Sequence, residues 1–97
     1  MVGIEAIERL SKKYSTSSDE FIWLGSVLAM KEKKRNFQIE RLEILARYEA
    51  DTIEELKEKI KDASVPEHPG WEDMIEIKNI ETEIRGIESD IRTLQSA

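Results

Sequence analysis

Ile77, Ile80, Ile84, Ile87, Ile91 and Leu94 stand 3, 4, 3, 4 and 3 residues apart in the last quarter of this 97-residue chain. That is the a/d rhythm of a coiled-coil seam, and nearly every position between them is polar. Isoleucine is β-branched and only a moderate helix former. A stripe of isoleucines therefore serves packing and does little for the helix itself. A chain with this feature must lay one helix along another.

The rest of the chain agrees with an all-α fold. Glycine and proline number only 4 and 2, and both prolines sit in "ASVPEHPG" at 63–70. Hydrophobic residues make up 39% and charged residues 37%, so a core can form. At this length the core is thin, and burial against a second chain is expected to add to it. The expected architecture is a single domain, a helical hairpin or bundle of four helices. They are placed at about 3–14, 18–50, 53–62 and 71–95.

Helix punctuation sets these bounds. Ser17 with Glu20, and Thr52 with Glu55, are spaced as capping boxes. Gly25 marks either a close helix crossing or the end of a shorter helix. The segments "KKYSTSSDEF" at 12–21 and "ARYEADTIEEL" at 46–56 share a plan. In each, a basic residue precedes a tyrosine, then come a break, a Ser/Thr cap and acids. One way of ending and restarting a helix, used twice, accounts for this.

Charge is uneven along the chain. Residues 1–50 carry 9 basic and 8 acidic side chains, while residues 51–97 carry 6 and 13. On the last helix the g positions are Glu76, Glu83 and Asp90, and the e positions are Glu81, Glu88 and Gln95. Two such helices would repel each other, whereas a basic flank around Lys34, Arg41 and Arg47 complements one. The long second helix offers two apolar stripes. One is Trp23, Val27, Met30, Phe37, Ile44 and Tyr48, with Lys34 and Arg41 among them; the other is Phe21, Leu24, Leu28, Leu42 and Leu45, with Lys31, Arg35 and Gln38 among them. Two stripes place this helix centrally, with neighbours on both sides, and a homodimer is expected to fill both.

Signs of chemistry are sparse. There is no cysteine, and the one histidine, His68, lies between Pro66 and Pro69. No Glu-x-x-His pair, glycine-rich phosphate loop or Ser/His/acid set can be assembled. A non-enzyme without cofactor or metal is expected. No apolar run is long enough for a membrane span, and residues 1–20 hold no signal-peptide stretch, so a cytoplasmic location is expected. The basic residues at 31–35 are interleaved with acids in an acidic chain, which argues against nucleic acid.

The segment "ARYEADTIEELKEKIKDASVPEHPGWEDMIEIKNIETEI" resembles small helical antitoxins encoded beside toxins in prokaryotes. The residues that carry the likeness are Tyr48, Thr52, Glu54, Glu55, Leu56, Ile60, Trp71, Glu72 and Asp73. It departs from them at Ala63-Ser64, where such proteins often carry glycine. The resemblance implies neutralising a partner protein through helical contacts, with no chemistry of its own.

The expected function is thus a non-catalytic protein–protein interaction module, antitoxin-like. The alternatives are a structural or adaptor subunit and, more weakly, a nucleic-acid-associated dimer. Partner or oligomer contacts are expected at Trp71, Ile77, Ile80, Ile84, Ile87, Ile91, Leu94, Phe37, Ile44 and Tyr48. Trp23 is expected in the core, and Trp71 as an anchor for the partner.

Overall fold

A computed structural model describes residues 3–96. These form four helices: α1 (Ile4–Lys13), α2 (Ser18–Ala46), α3 (Ile53–Lys61) and α4 (Glu67–Ser96). No strand occurs among the described residues. The molecule is a rod of 61 × 24 × 18 Å. Its radius of gyration is 19.6 Å, against about 12.5 Å for a compact domain of this length.

The rod is an antiparallel pair of long helices, α2 and α4. Trp23 reaches Leu94, Lys34 reaches Glu88, Arg41 reaches Glu81 and Tyr48 reaches Asp73, so residue numbers fall along α4 as they rise along α2. α3 closes one end of the pair by packing on α4, and α1 lies against the opposite end of α2. The core is concentrated at the α3 end. There Ile44, Leu45, Ala50, Leu56, Ile60, Val65, Met74, Ile77 and Ile80 form one cluster, with Phe37, Tyr48, Ile53 and Ile84 packed around it.

The caps act as the spacing predicts, with one change each. Ser17 Oγ accepts from the Glu20 amide at 3.0 Å, and Thr52 Oγ1 from the Glu55 amide at 3.1 Å. The reciprocal carboxylates reach one residue further back than in a standard box. Glu20 accepts from the Thr16 hydroxyl at 2.8 Å, and Glu55 from the Asp51 amide at 2.9 Å.

Two helix ends depart from expectation. α2 stops at Ala46 instead of near residue 50, because Glu49 adopts a left-handed conformation with φ 52°. The Ala50 amide then donates back to the Leu45 carbonyl at 3.1 Å. Ser15, with φ 57°, ends α1 in the same way, and Thr16 donates to the Ser11 carbonyl at 2.9 Å. Both are Schellman-type ends, and in both the left-handed residue directly follows a tyrosine. The two similar sequence segments are thus one helix-ending device used twice. α4 begins earlier than expected. It opens at Glu67, is interrupted at His68 by non-helical angles, and continues through Pro69 and Gly70. The His68–Pro69 bond is cis. Near a helix start, the missing proline amide would have had no intrahelical partner anyway.

α3 ends on a third left-handed residue, Ala63, with φ 64°. Beside it the Asp62 carboxylate accepts from the Ser64 amide and hydroxyl, which holds its pKa below the usual range. A side chain in this region costs roughly 1–2 kcal/mol, and glycine removes that cost at an entropic penalty of about 0.5–1 kcal/mol. Ala63→Gly should therefore stabilise the chain by up to about 1 kcal/mol, raising Tm by a few degrees. A lower Tm in a thermal melt followed by circular dichroism would contradict this.

Candidate interaction surface

The isoleucine stripe finds its partner inside the same chain. Ile77, Ile80, Ile87 and Ile91 are buried on α4, and Ile84 and Leu94 are half-buried. Opposite them lies the first stripe of α2, with Val27 and Ile44 buried and Met30, Phe37 and Tyr48 half-buried. The predicted charge match also falls within one molecule. Arg41 Nε donates to Glu81 Oε2 at 3.2 Å, and Lys34 Nζ lies 3.9 Å from Glu88 Oε2. Such half-exposed pairs contribute little energy, about 0–1 kcal/mol each, but they favour one register.

This corrects the expected contact set. Ile44, Ile77, Ile80, Ile87 and Ile91 are buried within the chain, and Phe37, Tyr48, Ile84 and Leu94 are half-buried beside them. Of the expected contacts only Trp71 remains open, at 36% exposure. Trp23 is corrected too. It is 40% exposed and roofs the end of the seam, where its indole Nε1 donates to the Leu94 carbonyl at 2.7 Å. Gly25 is neither a crossing point nor a helix end. α2 runs straight through it, and an added Cβ would meet nothing within 4 Å.

The second stripe of α2 behaves differently. Leu45 turns into the core, but Phe21, Leu24, Leu28 and Leu42 stay 38%, 50%, 55% and 57% exposed. Helical periodicity explains why. α4 covers the face of Val27 and Met30. α1 packs near Ile22, Gly25, Ser26 and Ala29, with Ile7, Leu10 and the edge of Phe21 bordering the same shallow groove. The stripe of Leu24 and Leu28 projects about a third of a turn from either neighbour. α1 itself is thinly attached. Ser11 is its only buried residue, while Ile4 is 68% and Leu10 39% exposed.

Alongside the free stripe runs a polar groove between α2 and α4, lined by Lys31, Lys34, Gln38, Arg41, Arg85 and Arg92 with Glu81 and Glu88. The arginines of α4 come to the lysines of α2 only through the antiparallel pairing, which no local spacing reveals. Glu81 and Glu88 already pair with Arg41 and Lys34, so much of this positive charge is compensated. The opposite flank of α4 carries Glu76, Glu83 and Asp90, all exposed.

At the far end of the pair, polar groups lock the helix junction. The Tyr48 hydroxyl donates to Asp73 Oδ2, and Arg47 Nη1 lies 3.8 Å from the same oxygen. Burial and then this hydrogen bond push the Tyr48 pKa up to about 12. Lys59 of α3 donates to the carbonyls of Tyr48 and Glu49 at 3.0 and 2.9 Å, which caps the end of α2 with positive charge. His68 is 89% exposed and lies 2.7 Å from Glu72. Among the described residues no three His, Cys, Asp or Glu side chains are grouped to hold a metal ion. No helix among them is long and apolar enough to cross a membrane.

Fold and surface together define an all-α protein built on an antiparallel helix pair, with one face of the central helix left open. Residues 28–97 match the family described as uncharacterized protein MJ0235 family, and the chain belongs to it. No curated protein and no solved structure gives a match.

Proposed function

We propose that this chain is a non-catalytic protein-interaction module that binds a partner protein through its helices. What supports the reading is the open stripe of α2. Phe21, Leu24 and Leu28 lie exposed in sequence on one helix face, each at 38% or more. Scattered apolar residues on a surface need no explanation, but a consecutive row on a helix face is a docking feature. Amphipathic helices recognise one another by such i, i+3, i+4, i+7 rows.

An antitoxin-like inhibitor is the specific form of this reading. It rests on the punctuation of residues 46–84, and the family match carries no link to toxin–antitoxin pairs. A photo-crosslinking amino acid placed at position 24 in the native host provides the test. The expected result is a discrete protein adduct that disappears when Leu28→Asp is added. Absence of any adduct from positions 21, 24 and 28 would refute the reading.

A further inference from the structure

We infer that the open stripe of α2 is covered by a second copy of this chain, with the two α2 helices antiparallel and crossing between Leu24 and Leu28. The inference rests on the interaction-module reading and names the partner.

Three observations carry it. The first is area. The chain exposes 7184 Å², whereas a folded monomer of 11.3 kDa exposes about 5,700 Å². The difference, roughly 1,500 Å², is spread over the whole 61 × 24 × 18 Å rod, and is enough to hold the ~800 Å² per partner of a standard stable interface. The second is the register. An antiparallel crossing midway between Leu24 and Leu28 sets Leu24 against Leu28 of the second copy, and Leu28 against its Leu24. Phe21 then lies over the aliphatic stem of the second copy's Lys31, whose ammonium reaches solvent. The third is charge. Glu20 and Lys31 flank the apolar residues, both exposed, and neither takes part in an ion pair among the described residues. The two-fold axis brings Glu20 of each copy toward Lys31 of the other.

Other self-contacts are less favourable. A two-fold axis nearer the middle of α2 would pair Leu24 with Leu42, but it would also set Lys31 against Arg35. Self-association through the outer flank of α4 would oppose Glu76, Glu83 and Asp90 to one another. The crossing between Leu24 and Leu28 joins apolar to apolar and places Glu20 beside Lys31 of the other copy.

Light scattering and sedimentation of the full chain across the micromolar range test this. Twice the 11.3 kDa chain mass is expected, falling to the single mass in Leu28→Asp with the helical spectrum retained. Leu42→Asp, about 21 Å further along the axis, should leave the dimer unchanged. Lys31→Glu should raise the dissociation constant at least about tenfold, and Glu20→Lys in the same chain should restore it. The single mass for the parent chain overturns the inference, as does a dimer broken by Leu42→Asp but not by Leu28→Asp. A monomer that still gives a heterologous adduct from position 24 overturns the inference while the interaction-module reading stands. A monomer without any adduct overturns both.

Discussion

Replacing Ile77 with asparagine is expected to destabilise the chain by about 3–7 kcal/mol, the largest loss of any single change on the seam. Ile77 is fully buried where α2, α3 and α4 meet. Losing its side chain costs about 2–4 kcal/mol in burial and cavity terms. Leaving an amide without partners adds about 1–3 kcal/mol. The sum is a large fraction of the stability of a domain this size, about 5–15 kcal/mol. Ile84→Asn, on the same stripe but half-buried, should stay folded and melt earlier. Circular dichroism melts of the two variants settle the point. If both match the parent, the stripe does not hold α4 against α2.

Tyr48→Phe is expected to cost about 1.5–3 kcal/mol, the range for a hydrogen bond to a charged group. Asp73, whose side chain is only 14% exposed, would keep Arg47 at 3.8 Å as its remaining partner. The same contact makes stability fall in alkali. The folded-state pKa of Tyr48 is about 12, raised from 10.0. Its contribution is therefore complete below pH 10 and is lost as pH rises through about 12. Denaturant melts between pH 9 and 12 should show the parent losing more stability than Tyr48→Phe. Parallel losses would mean that the hydroxyl does not hold Asp73.

Much of the fold is legible in the residues. The isoleucine rhythm, the Ser17 and Thr52 caps and the two similar tyrosine breaks each act locally, and each appears where spacing places it. The end of α2 does not, because a left-handed residue normally announces itself as glycine and here it is Glu49. The start of α4 was hidden by the opposite habit. Two prolines read as loop, yet a proline near a helix start is compatible with it. The surface was legible in part. That α2 carries two stripes follows from periodicity, but which of them α4 takes depends on tertiary pairing. Burial of Ile44 and Phe37, the outward turn of Trp23, and the approach of Arg85 and Arg92 to Lys31 share that cause. The exposed acids and bases on the long helices differ little in sequence from ordinary solvated faces.

The placement of the core at one end of the rod has a mechanical consequence. α2 is a single uninterrupted helix of 29 residues, about 43 Å long. Its last turns are clamped by Leu45, Leu56 and Ile77, while its first turns carry only α1 and the tip of α4. Opening is then graded along the axis. α1 contributes one buried serine and two half-buried residues, Ala6 and Ile7, so its release would uncover little of the core. The first turns of α2 are held by less than its last turns, although the seam with α4 continues to Val27 and to the Trp23–Leu94 hydrogen bond.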